Sequence, residues 1–148
     1  MYKKIPAMKA LLEIRPEDEF EIQQSQPYLQ QHHERFHAST LAWADTHNFA
    51  TPHARQHLLI TEFFCTLVSG KYEDRFHAVL YRQSLKWYLL KLDINDVLLL
   101  LGRICQTLQE YAAPLGRPHV QRTLGLVVEI ARVVAVKIHQ LGSKLHAV

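Results

Sequence analysis

Leu124-Gly125-Leu126-Val127-Val128-Glu129-Ile130-Ala131-Arg132-Val133-Val134-Ala135-Val136-Lys137-Ile138 is the stretch whose reading decides the fold. Its β-branched residues suit strands, and Leu124 to Val128 or Val133 to Ile138 could each be read as one. The run is longer than an ordinary strand and lacks strict alternation, so the better reading is a helix from about His119 to Leu141. Glu129, Arg132 and Lys137 interrupt the run, which is also too short to span a bilayer, so no membrane span is expected.

The preceding segment reads the same way. Val97-Leu98-Leu99-Leu100-Leu101 continues through Ile104, Cys105 and Leu108, predicting a helix over 97–111 that Pro114, Gly116 and Pro118 end. Helices this apolar on all sides must be buried on several sides. The expectation is that helices 97–111 and 119–141 share their surface with a second copy, as a helix bundle across a two-fold axis.

Helical periodicity extends toward the N-terminus. Pro16 followed by Glu17, Asp18 and Glu19 marks a helix start, and Pro27 is expected to break or kink that helix. Tyr28, Leu29, His32, Phe36, Thr40, Leu41 and Trp43 form the face of a second helix. Thr51-Pro52 caps a third, predicted as one element ending at Ser69-Gly70, and Arg75 to Leu92 form a fourth. The expected architecture is all-α, about six or seven helices in a single domain over 1–148, with 1–15 as an N-terminal extension.

Composition agrees with one globular domain: 148 residues, 48% hydrophobic and 21% charged. A chain of this length can bury a core without disulfides or metal. Cys65 and Cys105 lie in apolar stretches, as buried thiols of a reducing compartment do, so a cytoplasmic location is expected. The net charge of +3 is spread along the chain rather than gathered in a stripe, which speaks against a nucleic-acid partner.

The ten histidines are the one enriched reactive type. His33 with His37, and His53 with His57, share helix faces at i,i+4 spacing. Neither pair is joined by further carboxylate or thiolate ligands that would complete a structural or catalytic metal site, and Glu34 with His37 is the single Glu-x-x-His spacing, so no metal is expected. There is no glycine-rich phosphate loop, Gly-x-Ser-x-Gly elbow or Cys-x-x-Cys, and the chain is read as non-catalytic.

The region from Ile22 to Ile94 resembles the sensor globins, the family of protoglobin and the globin-coupled sensor domains. The resemblance runs through Gln26-Pro27-Tyr28-Leu29, Phe36 to Trp43, Phe63-Phe64-Cys65-Thr66-Leu67-Val68-Ser69-Gly70 and Tyr72-Glu73-Asp74. It implies a globin-like bundle whose closing helix pair dimerises, acting in signal transduction on a downstream protein. The family's proximal His falls here on Leu89-Leu90-Lys91-Leu92-Asp93-Ile94 or, counted from Gly70, on Trp87, and its distal Tyr near Leu41. Both polar anchors are apolar, so a haem-less member is expected, with Leu41, Phe63, Leu85, Tyr88 and Leu89 lining the former haem pocket. Haem held by an unusual ligand such as Tyr88 or His77, in a gas sensor, is the alternative. An apolar cavity of this kind suits a fatty acid, with Phe36, Leu59 and Ile104 joining the lining and Arg82 or Lys86 meeting its carboxylate.

Overall fold

The computed structural model describes residues 4–147, with side chains described for 6–145. Among the described residues there are eight α-helices and no strand. The helices are α1 (Lys4–Leu11), α2 (Pro16–Gln30), α3 (His33–Thr46), α4 (Pro52–Gln56), α5 (Thr61–Leu67), α6 (Asp74–Leu89), α7 (Ile94–Ala112) and α8 (Pro118–Ala147), with a 3-10 turn, Ala113–Leu115, before α8. The deciding stretch is helical throughout.

Local chemistry sets the helix starts. Asp18 accepts a hydrogen bond from the Arg15 backbone N–H at 2.9 Å, and Pro16 fills the first helical position of α2. Thr51 Oγ1 accepts from the Ala54 N–H at 3.1 Å ahead of Pro52 in α4, and Asp93 Oδ1 from the Asp96 N–H at 2.8 Å in α7.

Within the N-terminal extension, residues 4–11 are helical and Ile14 behind them is buried. Two expectations are corrected. Pro27 lies inside α2; a proline near the end of a helix removes one donor, and the chain turns later, at Gln31 and His32. The element expected from Pro52 to Gly70 is two helices, because the backbone at Leu58, Leu59 and Ile60 leaves the helix to bury Leu58 and Ile60 while Leu59 points outward.

Helix α8 packs along both α6 and α7 and forms the spine of the core. From α7 it meets Val97, Leu100, Leu101, Ile104 and Leu108; from α8 come Val120, Leu124, Val127, Ile130, Ala131, Val134 and Ile138, all buried within the single chain. The apolar content that suggested a shared surface is therefore spent mostly on this chain's own core. Leu99, Val133 and Leu141 remain exposed on the same two helices.

Gly70 fixes how the α5–α6 turn meets α2. Its φ is +73°, and a Cβ there would stand 2.5 Å from Gln23 Cγ and 2.7 Å from the Glu19 carbonyl oxygen. The contact is sealed by Gln23 Nε2 donating to the Gly70 carbonyl at 2.9 Å. Beside it the buried Tyr72 hydroxyl donates to the Leu67 carbonyl at 2.7 Å, and burial pushes its phenol well above the usual range.

Candidate functional site

The sequence-predicted pocket is not assembled as one cavity. Phe36, Phe63 and Ile104 are fully buried, Leu41 and Tyr88 half-buried, and Leu59, Leu85, Leu89, Arg82 and Lys86 exposed. Where α3, α5 and α6 meet, rings fill the interior. Phe36 stacks on Phe64 at 4.5 Å between centroids, and Phe63 meets Trp87 edge-on at 5.3 Å.

Trp87, one of the two positions onto which the resemblance aligns a proximal imidazole, is locked in place. With its amide oriented to satisfy both neighbours, Gln83 accepts from Trp87 Nε1–H at 3.0 Å and donates to the Leu59 carbonyl at 3.2 Å. An indole N–H is a donor only and offers no lone pair to iron. Tyr88 is turned against α8, edge-on to His139 at 5.6 Å, with its ring where a Cβ on Gly142 would stand. These residues do not fit an interior haem: the space holds aromatic rings, Trp87 within it offers no lone pair, and Tyr88 is turned toward α8.

A cleft of about 470 Å³ lies elsewhere, between α1, α6 and α8. Met8 of α1 and His77 of α6 form one side, and Glu129, Arg132, Val133, Val134, Val136, Lys137 and Gln140 of α8 the other. The i,i+3/i+4 spacing from Glu129 to Gln140 puts one face of α8 along it. Its size falls within the range of small-molecule sites, and three valines and a methionine supply its apolar wall.

The polar groups of the cleft are few and unlike one another. Arg132 lies 3.5 Å from Glu129, a half-exposed i,i+3 pair that partly cancels both charges. Lys137 makes no ion pair among the described residues and stands as the cleft's uncompensated cation. His77 is 2% exposed, and burial holds its imidazole below the usual range, so it is neutral at pH 7.

Helix α1 brings Met8 to the cleft and is tied to its neighbours through Lys9. Lys9 Nζ donates to Glu19 Oε1 at 2.7 Å and to Glu73 Oε1 at 2.8 Å, joining α1 to α2 and to the residue that precedes α6. Burial pulls the ammonium down, but the two carboxylates together outweigh it and hold the Lys9 pKa above its usual value. Sequence reading missed this site because α1 was taken as an extension. The available signal was Met8-Lys9 beside Leu11 and Leu12, a short amphipathic turn.

No group of three or more His, Cys, Asp or Glu side chains among the described residues is placed to hold a metal ion. No described helix is long and apolar enough to cross a membrane. No family model matches the chain, and no curated protein and no solved structure is significantly similar to it.

Proposed function

We propose that this chain is a non-catalytic regulatory domain that receives an apolar ligand carrying a carboxylate, such as a fatty acid, in the cleft between α1, α6 and α8. The observation that carries the reading is the cleft's chemistry: apolar walls from Met8, Val133, Val134 and Val136, with the Lys137 ammonium available to a carboxylate. Helix α1 forms one wall and α8 the other, so occupancy bears directly on the helix that spans the core. A ligand that binds more tightly to one arrangement of α1 shifts the population toward it. The sequence resemblance to sensor globins is what suggests a regulatory role, with a downstream protein as the recipient of the signal.

The test is mass spectrometry of an organic extract of the purified protein, followed by displacement of a fluorescent fatty acid. A co-purified lipid, or saturable one-to-one displacement that Lys137→Glu weakens, supports the reading. Absence of binding by C12 to C18 fatty acids overturns it.

A second reading, a haem-binding gas sensor, is favoured by one observation: neutral His77 and Met8, both residue types that ligate haem iron, line the same cleft. Stoichiometric uptake of haem with a sharp Soret band, lost in His77→Ala, would support it over the lipid. No Soret band on haem addition removes it.

Self-association is proposed through α7 and α8. A shallow groove between them, lined by Leu98, Leu101, Gly102, Cys105, Gly125 and Val128 and bordered by Glu129 and Arg132, is open to an approaching helix, since a Cβ on Gly102 would meet nothing within 4 Å. Sedimentation as a dimer that Gly102→Arg converts to monomer supports this; a monomer at micromolar concentration refutes it.

A further inference from the structure

Two i,i+4 histidine pairs are alike in sequence, and the structure separates them. His53 and His57 bring their rings together, 4.4 Å between centroids and 41° between planes, at the edge of α4 and exposed to solvent. His33 and His37 form no ring contact among the described residues; His33 faces the Gln30 carbonyl and Glu34 instead.

From this geometry we infer that His53 and His57 form a two-imidazole chelate for a divalent transition metal of tetragonal preference, copper(II) or nickel(II), with water completing the coordination. Three observations carry it. First, His57 Nδ1 lies 2.8 Å from the His53 carbonyl oxygen. A carbonyl only accepts, so Nδ1 bears the proton and the Nε2 lone pair is left for a metal. That is the outer hydrogen bond that orients a ligating imidazole.

Second, the rings are close enough to share one ion. At a metal–nitrogen distance of about 2.0 Å, two ring centroids lie about 4.5 Å apart for a right-angled pair, and the observed separation is 4.4 Å.

Third, the turn is built independently of any ion. Thr51 Oγ1 caps it, and Pro52 presets its first residue. Between the two rings in sequence, Arg55 is drawn to the opposite side by Asp45 at 3.2 Å and by the Phe49 carbonyl at 3.0 Å. Its charge is thereby held off the face where a cation would bind.

The experiment is calorimetric titration of the metal-stripped full chain with copper(II), with electron paramagnetic resonance of the loaded protein. One tightly held ion per chain at micromolar copper, with splitting from two equivalent imidazole nitrogens, is expected. His53→Asn and His57→Asn should each weaken binding at least tenfold, since the second donor contributes as an intramolecular ligand. His47→Asn is the control: His47 is also exposed and also bonded through Nδ1 to a backbone carbonyl, that of Trp43 at 2.9 Å, and its loss should change nothing. No binding at micromolar copper, full affinity in either single variant, or an equal loss in His47→Asn would each overturn the chelate. Circular dichroism of the variants separates a lost ligand from a lost helix, and nickel(II) titration of any variant that loses helix-independent affinity repeats the comparison with a second probe.

Discussion

Lys9→Met is the perturbation that most directly tests how α1 is held over the cleft. The Lys9 side chain is 13% exposed and that of Glu19 17%, so their 2.7 Å contact is a part-buried charged hydrogen bond; Glu73, at 70% exposure, adds little. A buried charged hydrogen bond contributes about 1–3 kcal/mol, and removing the cation also leaves Glu19 in a poorly hydrated place. Methionine keeps the aliphatic stem, so the loss isolates the charge. Expected are a cost of about 2 kcal/mol and a fall in melting temperature of about 4–8 °C for a domain of this size. A double-mutant cycle with Glu19→Gln should give a coupling of about 1–2 kcal/mol. The pH dependence has a definite sign. The folded pKa of Lys9 is raised, so its stabilisation is complete below the ordinary value of 10.5 and is lost as pH rises through the raised value. Parent and variant should therefore converge in strongly alkaline solution. A coupling below about 0.3 kcal/mol at pH 7 would refute the reasoning, because additivity at that level is what independent sites show.

Gly70→Ala should cost about 2–4 kcal/mol in thermal unfolding, the sum of a left-handed φ of +73° and a methyl driven into Gln23 and the Glu19 carbonyl; a loss under about 0.5 kcal/mol would show that α2 yields. His77 carries a depressed folded pKa, so its contribution is complete above the ordinary value of 6.5 and is lost as pH falls below it. Urea unfolding between pH 7.5 and 5 should show a shallower decline in His77→Leu than in the parent. For a series of fatty acids, each added methylene should raise affinity about twofold to fourfold until the cleft is filled, from about 0.4–0.8 kcal/mol of partial burial per group; affinity independent of chain length would place the ligand outside it. In Lys9→Met the same fatty acids should dissociate faster, measured by stopped-flow displacement, as α1 loosens.

The helices were legible because their signals are local. Thr51, Asp93 and Pro16 announce their caps in sequence and perform them in the structure. The turn that divides α4 from α5 was not legible, since Leu58, Leu59 and Ile60 read equally well as one more helical turn. What breaks the helix is tertiary: both Leu58 and Ile60 reach the core, and Gln83 on α6 satisfies the Leu59 carbonyl that the helix gives up. The exposed side of α6 failed for a related reason. Leu85 and Leu89 are apolar residues on the solvent side, and hydrophobicity alone assigns them inward.

The histidines show the same division in the reacting groups. His77 reads in sequence as a possible substitute haem ligand, with nothing to mark it as buried. It is buried all the same, on a cleft that Met8, nearly seventy residues away in sequence, also lines. His53 and His57 were legible as a pair, because i,i+4 spacing brings two side chains to one face whatever surrounds them. Spacing alone gives His33 and His37 the same standing. The difference between the pairs lies in where the rings stand. His53 and His57 bring their ring centroids to 4.4 Å, whereas His33 faces the Gln30 carbonyl and Glu34 and makes no ring contact with His37 among the described residues. A spacing rule counts candidate ligands; the backbone and charged groups around each ring decide which of them stand close enough to share an ion.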